Sequence, residues 1–420
     1  MGGLLDTLET TTPPEQANAQ HASWEPLART LVLIASLTIV LLGFLLSGGG
    51  LVLALLSAEA ERVTLITASI AFLALTGGLG LALAWQARQS LRGQPSQAFQ
   101  PKRVGLWALL FGLAVVAGQL TLMLEGTRLF VFPFFHISAT LLPIVVILSA
   151  VGRSLAGAVR WRGVLFQFAG GAFLATLLAM ALEAALIVAL GIALVVGMAL
   201  MPGGMELLAS LQERLSDPAV LQNPSLLSDL VSSPLLVVAV ILVFAGAIPL
   251  IEETVKTVGV GLMSYRRPSL RQALIWGLAA GCGFALVEGL FNTAAGLDVW
   301  STVVTTRVGA TLLHAFTGAL MGVAWHRLRV ERRWAPALGL YALSVAIHGL
   351  WNGLAVALTA LGVRALDTSP GGMLLSGSLP AAIVFMLLIG VACGMAGGLV
   401  ALTHYVKKNS PEDLTDGAPN

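Results

Sequence analysis

Two adjacent glutamates and a lysine lie inside a long apolar run of the sequence. They are Glu252, Glu253 and Lys256, in the segment that begins at Pro249. An ionisable side chain at membrane depth costs about 3 kcal/mol on insertion scales, so such residues indicate a functional site by default. Lys256 follows the glutamates by one helical turn, so it can neutralise one carboxylate and leave the other available for chemistry.

Three later apolar runs carry further polar side chains of the kinds that perform hydrolysis. Glu288 follows Phe284 by four residues, His314 stands in the next run, and His348 is followed four residues later by Asn352. Residues four apart lie on one face of a helix, so each of the two pairs projects in one direction.

The four runs bring these groups to similar predicted depths. Counting 1.5 Å per residue from the basic loop at the end of each run places Glu253, His314 and His348 about 20 Å deep and Glu288 about 25 Å deep. This level lies somewhat beyond the midplane of a hydrocarbon core about 30 Å thick. We therefore expect one shared site rather than scattered polar residues.

The residue types at this depth are suited to hydrolysis of a peptide bond. The reaction needs a water molecule, a group that activates it and donors for the developing oxyanion. Glu252 or Glu253 is the candidate base, with Lys256 or a histidine balancing the remaining charge. His348 and Asn352, which project together, are candidates for polarising the scissile carbonyl.

The same set of side chains could instead hold a metal ion. His314, His348 and Glu288 offer neutral imidazole and carboxylate ligands for Zn²⁺, with an open position for water. The sequence lacks the His-Glu-x-x-His motif of many zinc peptidases. It therefore leaves a metal-activated water and a glutamate-activated water as alternatives.

The composition predicts the elements that position these groups. Hydrophobic residues make up 57% of the chain and charged residues only 10%, which is too little charge to cover a soluble protein of 420 residues. Repeated apolar runs of about 20 residues predict transmembrane helices. The net charge of +2 gives no indication of nucleic-acid binding. We predict an all-α, polytopic helical membrane protein with about ten transmembrane helices in a lipid bilayer.

Basic residues are concentrated in alternate loops, which predicts the orientation of the chain. The basic segments are Arg88–Arg103, Arg153–Arg162, Arg266–Arg271, Arg327–Arg333 and the tail at Lys407 and Lys408. The loops between them are neutral or acidic. Ten spans in the cell membrane, with both termini in the cytoplasm, satisfy every loop.

The sequence divides into five predicted regions. They are a disordered cytoplasmic tail (1–26), an N-terminal transmembrane bundle (27–201), an extracytoplasmic amphipathic connector (202–233), a second transmembrane domain with the polar residues (234–405) and a cytoplasmic tail (406–420). The fifth apolar run, Val164–Met201, is too long for one perpendicular span. It predicts a tilted or projecting helix, or a re-entrant pair around Glu183, and the loop charges favour a single crossing.

The remaining polar and small residues of the spans are interpreted as structural. Arg307 is a candidate ion-pair partner of Glu288, or a side chain that snorkels outward. Close packing between helices is predicted for Gly277, Gly281, Gly283 and Gly289. Packing, structural or interfacial roles are predicted for Trp351, His136, Glu183, His326 and His404.

The ordered set Glu252-Glu253-x-x-Lys256, Phe284-x-x-x-Glu288, His314 and His348-x-x-x-Asn352 resembles the PrsW family of intramembrane proteases. That family is related to the CAAX prenyl proteases and to bacteriocin-processing proteins. The resemblance covers about Pro234 to Tyr405, and the first five spans lie outside it. Asn352 departs from the PrsW pattern, which ends in aspartate, and matches the CAAX-protease branch, whereas Glu288 fits PrsW.

The resemblance implies a membrane-embedded protease that acts on membrane-anchored proteins, with anti-sigma-factor-like proteins among the candidates. From the predicted depth of the polar residues, we expect cleavage in the outer juxtamembrane segment of the substrate or in the first turns of its span. A CAAX-type enzyme would instead cut C-terminal substrates on the cytoplasmic side.

Two other classes of function use similar side chains. Buried Glu, His and Lys residues also form the proton relays of proton- or cation-coupled transporters. The sequence has no evident internal repeat and no paired broken helices, which are typical of such transporters. A non-catalytic membrane scaffold, held together by a polar network, is the third interpretation.

Overall fold

The computed structural model describes residues 14–216, 234–294, 297–366 and 378–410. Within these ranges the chain is helical and contains no β-strand. Ten of its helices are long and apolar enough to cross a membrane. The predicted fold class, an all-α polytopic membrane protein with about ten spans, is confirmed.

We number the ten membrane-spanning helices in chain order. They are α1 Pro26–Leu56, α2 Glu61–Leu91, α3 Val104–Met123, α4 Phe132–Ser154, α5 Trp161–Ala199, α6 Val237–Arg266, α7 Leu270–Ala294, α8 Trp300–Arg329, α9 Trp334–Gly362 and α10 Leu379–Asn409. Shorter helices cover Glu125–Arg128, Gly204–Ser216 and Leu297–Val299. Many large apolar side chains of the spans face outward, as contact with lipid requires.

The helix that contains α1 begins well before the membrane-spanning part, at Pro14. The structure therefore corrects the predicted disordered tail for residues 14–26, while residues 1–13 lie outside the described ranges. Proline is favourable in the first turn of a helix. The residues that follow it are rich in alanine, glutamine and glutamate, which have high helix propensity.

The described helices form two compact units. One unit contains α1 and α2, and the other contains α3 to α10. All the residues singled out for chemistry belong to the second unit. The division near residues 201 and 234 that the sequence suggests stays a prediction.

Helix α5 is a single long helix with one irregular turn. It consists of Trp161–Ala169, a π-helical turn at Gly170–Ala175 and the regular segment Thr176–Ala199. The last segment runs through Glu183 without a break, so the single crossing is confirmed and the re-entrant pair is excluded. Its irregular turn packs on α7, where a Cβ at Gly171 would lie 1.9 Å from the carbonyl oxygen of Ala280.

Helices α7 and α8 form the buried centre of the second unit, and glycines set their close approach. A Cβ at Gly281 would lie 2.0 Å from the carbonyl oxygen of His314, and one at Gly277 would lie 2.2 Å from that of Gly318. Only glycine permits two membrane helices to approach this closely. The predicted close-packing role is confirmed at both positions.

Helix α6 is the most irregular of the spans. Its segments are Pro234–Ile241, the π-helical Leu242–Ala247, Ile248–Val255, Val258–Met263 and the 3₁₀ turn Ser264–Arg266. The break after Val255 falls at Thr257, whose φ of −112° and ψ of 22° are not helical. The irregular backbone therefore brackets the segment that carries Glu252 and Glu253.

The segment between α5 and α6 begins with the helix Gly204–Ser216. Leu207, Leu208, Leu211 and Leu215 recur at helical spacing in the sequence, which predicts an amphipathic helix on the membrane surface, and the helix itself is present in the structure. Its position on the membrane surface stays a prediction, and residues 217–233 of the predicted connector lie outside the described ranges.

Candidate catalytic and metal site

A proline and a π-helical turn shape α6 just before its glutamates. Pro249 has no N–H to donate, so carbonyl groups of the preceding turn lack their usual helical partner. The Phe244 carbonyl instead accepts a hydrogen bond of 3.0 Å from Asn352 Nδ2 of α9. The backbone of Gly349 lies so close to the Ala245 oxygen that a Cβ would be 2.3 Å from it. These contacts dock α9, with its histidine, against the two glutamates.

Glu253 is fully buried, and one of its carboxylate oxygens contacts polar atoms of three other side chains. Its Oε1 accepts hydrogen bonds from Lys256 Nζ and from Thr317 Oγ1, the latter at 3.1 Å. The same oxygen lies 2.7 Å from Nδ1 of His348. Glu253 faces the cation of Lys256 as an ionised carboxylate, and an ionised carboxylate can only accept hydrogen bonds. The hydrogen of its contact with His348 therefore lies on Nδ1. The other ring nitrogen of His348 is then free to act as a base or a ligand.

Glu252 is the carboxylate that Lys256 leaves available. Its Oε2 atom lies 3.7 Å from Nε2 of His348. This oxygen is buried and has no hydrogen-bond partner among the residues that the structure describes. The spacing of the sequence predicts that the lysine neutralises one glutamate and leaves the other free, and the geometry assigns Glu253 and Glu252 to these two roles.

His314 is oriented by a second carboxylate in the same way. Its Nε2 atom lies 2.6 Å from Oε2 of Glu288, and Nη2 of Arg307 lies 2.9 Å from the same oxygen. The Nδ1 atom of His314 is buried and has no hydrogen-bond partner in the described part of the chain. The His314 ring packs against those of Phe284 and His348, with centroids 5.2 Å away in both cases.

Glu252, His314 and His348 form a group that could hold a metal ion. One ligand atom from each residue lies within 4.8 Å of the others, and all three residues are buried. Two of the three residues present buried atoms that have no partner within the described ranges, Oε2 of Glu252 and Nδ1 of His314. A carboxylate–histidine contact fixes each imidazole, as is usual around protein zinc ions. The donor set therefore fits a Zn²⁺ site with two histidines and one glutamate.

The structure brings most of the predicted site residues together. Glu252, Glu253, Lys256, Glu288, His314 and His348 are connected by direct contacts. Two predicted roles differ. Glu288 contacts His314 and Arg307, and the group of three possible metal donors contains Glu252 in its place. The Asn352 amide is occupied by the backbone of α6.

Sequence reasoning missed two residues near the site. Thr317 bonds Glu253 and lies 3.4 Å from Nζ of Lys256. Its position three residues after His314, on the same face of α8, is the signal that could have indicated it. Glu183 of α5 lies within electrostatic range of Glu252 and Glu288. The sequence does not show which residues of α5 lie beside which residues of α7, so it could not indicate this proximity.

The fold and the site together define a class of protein. A bundle of membrane-spanning helices that encloses two histidines and a carboxylate able to hold a metal ion has the arrangement expected of a membrane-embedded metallohydrolase. Comparison of sequence families identifies the particular one. Residues 159–391, more than half of the chain, match the PrsW family intramembrane metalloproteases, and the chain belongs to that family.

Family membership settles the broad function. The protein is a membrane-embedded protease whose substrates are membrane-anchored proteins. This finding favours the protease over the transporter and scaffold interpretations. Searches of curated proteins and of solved structures found no match.

The family match also corrects the extent of the resemblance. It begins at residue 159 and therefore includes α5, which the sequence analysis placed outside the family-like region. The packing gives a physical reason, because Ala175 and Ala179 of α5 form one buried cluster with Val255 of α6 and Phe284 of α7. This helix forms a wall of the site, although it contributes none of the recognised motifs.

Proposed function

We propose that this protease cuts membrane-anchored proteins with the buried group of Glu252, His314 and His348. The observation that carries the proposal is the convergence of these three donors from α6, α8 and α9 within 4.8 Å. Membrane-anchored regulatory proteins, such as anti-sigma-factor-like proteins, are the proposed substrates. The proposal assigns the chemistry to residues, whereas the family assigns only the class of enzyme.

The three donors would hold a divalent metal ion such as Zn²⁺. When bound there, the ion supplies Lewis-acid chemistry, which stabilises the negative charge that develops on the carbonyl oxygen. Glu252 contributes the anionic donor, and the two histidines contribute neutral nitrogen atoms. If the protein works without a metal, Glu252 is the base that takes the proton of the attacking water, because it is the buried carboxylate that no cation occupies.

Glu253 and Glu288 are positioning residues in this mechanism. Glu253 holds the hydrogen of His348 on Nδ1, so that Nε2 faces Glu252. Oε2 of Glu288 contacts Nε2 of His314 at 2.6 Å, so it is the Nδ1 atom of that ring that remains for a ligand. Each imidazole is thereby fixed in orientation and in tautomer before substrate arrives. Such fixed geometry removes reorganisation from the reaction itself.

Lys256 and Arg307 keep the two positioning carboxylates ionised. Lys256 is buried against Glu253, and Arg307 contacts Glu288. Each of these two carboxylates is already engaged by a cation and a histidine, which makes it a poorer acceptor for the proton of water than Glu252. In the metal-free alternative Glu252 is therefore the acid–base residue of the group, and in either case Glu253 and Glu288 hold the two histidines in place.

The proposed water path enters from the outer side of the membrane. Arg307 lies seven residues before His314 along α8, which corresponds to about 10 Å. The side chains of Arg307 and Glu288 are 22% and 30% exposed, whereas His314 is 2% exposed. Polarity and exposure thus increase from the buried group towards the start of α8, which is the extracytoplasmic end in the orientation predicted by loop charges. A substrate helix would need to unwind only its outer end to reach the site.

Metal analysis of purified protein tests the donor set. Wild-type protein should contain about one equivalent of zinc, His348→Ala should contain little, and Glu288→Gln should keep a substantial fraction, because Glu288 is not a donor. Equal loss in Glu288→Gln and His348→Ala would contradict the donor set. Full peptidase activity in metal-free protein would identify Glu252 as a base that needs no metal.

A further inference from the structure

A basic cavity of about 440 Å³ opens where the inner ends of α6 and α8 meet the loops that follow them. Three arginines contribute to its wall, together with residues of the last turns of α6. The residues that matter here are Arg267, Arg329, Arg332, Ser264, Tyr265 and Leu262. The cavity lies far along both helices from the buried catalytic group and shares no residue with it.

The described residues place no carboxylate opposite the three arginines of this cavity. None of them pairs with a carboxylate among the residues that the structure describes. The single glutamate of the neighbouring loop, Glu331, instead contacts Arg327 and lies 3.9 Å from Arg333, which are outside the cavity. Three guanidinium groups around one concave surface are a typical site for a phosphate group.

The backbone provides a second, independent indication. Only three non-glycine residues in the described part of the chain have a positive φ: Arg103, Arg267 and Arg332, with values of 65°, 50° and 59°. Glycine and asparagine adopt this left-handed conformation far more readily than arginine does. Two of the three residues line this cavity, so arginine is present there at positions where the backbone alone would favour another residue. Arg103 lines a separate basic cavity beside Arg153.

The lower wall of the cavity is apolar and faces outward. Leu262 is 64% exposed and Tyr265 is 68% exposed, and both lie in the last turns of a membrane-spanning helix. A basic cavity next to an exposed apolar surface suits a molecule that has both a phosphate group and acyl chains. We propose that the cavity of Arg267, Arg329 and Arg332 binds the phosphate headgroup of an anionic phospholipid, with its acyl chains along Leu262 and Tyr265.

A bound headgroup would tie together α6 and α8, two of the three helices that carry the catalytic group. The guanidinium of Arg329 lies 5.8 Å from the ring of Trp325, and Nε1 of Trp325 donates a hydrogen bond of 3.0 Å to Thr257 Oγ1. Thr257 is the residue at which α6 is broken, directly after Lys256. The lipid therefore stabilises the end of α8 against the broken part of α6.

Asparagine substitutions test the site without straining the backbone. The variant Arg267→Asn/Arg332→Asn removes two charges at positions where asparagine suits the left-handed conformation. The matched control, Arg333→Asn/Lys408→Asn, removes two exposed charges from the same basic end of the molecule, outside the cavity. Purified proteins are compared by native mass spectrometry with phosphatidylglycerol, and by thermal unfolding with phosphatidylglycerol, phosphatidylcholine or glycerol 3-phosphate.

We expect wild-type and control protein to retain one more phosphatidylglycerol than the cavity variant, and to bind it about 30-fold more tightly. Phosphatidylglycerol should raise the unfolding temperature of those two proteins and leave that of the cavity variant unchanged. Equal lipid retention by the cavity variant and wild type would overturn the proposal, as would an equal loss in the control. Stabilisation by glycerol 3-phosphate as large as that by the lipid would assign the cavity to a soluble phosphate compound. None of these readouts depends on proteolytic activity.

Discussion

Oε1 of Glu253 lies 2.7 Å from Nδ1 of His348, although 95 positions separate the two residues in the chain. The contact joins α6 to α9 inside the bundle. It assigns adjacent glutamates to different tasks, because Glu253 holds the imidazole while Glu252 faces the opposite ring nitrogen. A sequence with two neighbouring glutamates leaves this assignment open, and the fold decides it.

Substitution of Glu253 should weaken the site without removing it. In Glu253→Gln the amide no longer carries the charge that Lys256 and His348 contact, so the imidazole loses its fixed tautomer. We expect metal affinity or activity to fall about 10–100-fold, as for other residues that orient metal ligands. Zinc titration of the purified variant, with turnover measured at saturating zinc, checks this. Complete inactivity at saturating zinc would show that Glu253 takes part in the reaction itself.

Close packing of α7 and α8 should be intolerant of even one methyl group. In Gly281→Ala the new Cβ would lie 2.0 Å from the carbonyl oxygen of His314, so the helices must separate. Overpacking of this kind costs about 1–3 kcal/mol, and here it also displaces a catalytic histidine. We expect a lower unfolding temperature and a large loss of activity.

Gly394→Ala is the matched control for this substitution. A Cβ at Gly394 of α10 would meet no atom within 4 Å. Alanine at that position should be neutral or stabilising by up to about 1 kcal/mol. A Gly281→Ala protein as stable and active as Gly394→Ala would contradict the packing of α7 on α8.

Asn352 should support the structure rather than the reaction. In Asn352→Asp the donor to the Phe244 carbonyl is replaced by a carboxylate, which costs about 1–3 kcal/mol when the acceptor is left unpaired. We expect reduced thermal stability with measurable activity in the folded fraction. The control is Asn409→Asp, which alters a similar contact with the Tyr405 carbonyl at an exposed helix end and should have little effect. Loss of activity with unchanged stability would restore the predicted role in polarising the carbonyl.

The orientation predicted by the basic loops can be measured by cysteine labelling. Single cysteines at Met205 and Arg333 report on the helix after α5 and on the loop after α8, and their native side chains are 62% and 65% exposed. The background carries Cys282→Ala and Cys393→Ala. We expect an impermeant reagent to label position 205 from outside and position 333 only after the membrane is opened. Labelling of both positions from one side would contradict the ten-span arrangement.

Much of the fold could be predicted because apolar run length and loop charge act locally along the chain. All ten spans follow from such runs, and the close-packing glycines of α7 follow from their spacing. The helical residues 14–26 were missed, because polar composition was taken as disorder although the segment has high helix propensity. Local composition therefore predicts helices better than it predicts where they begin.

The site could be predicted as a set of residues but less well as a set of contacts. Similar depth in four helices indicated that the glutamates and histidines meet. The rotation of each helix about its axis decides which carboxylate faces which imidazole. This rotation cannot be read from a single sequence. The sequence therefore offers Glu288 as a metal donor, whereas the group of three possible donors in the structure contains Glu252, and nothing in the sequence indicates that Glu183 lies nearby.

The most direct test of the central claim is to map substrate fragments made by wild-type protein and by Glu252→Gln, in which an amide of the same shape replaces the carboxylate. Membrane proteins from cells that express wild-type protein or Glu252→Gln are compared by mass spectrometry of new termini, with both proteins at equal abundance. The account predicts termini in the outer juxtamembrane segments, or first span turns, of membrane-anchored proteins with wild type, and at least a 100-fold loss of them with Glu252→Gln. The same termini at wild-type levels with Glu252→Gln, or cuts on the cytoplasmic side that disappear with it, would contradict the account.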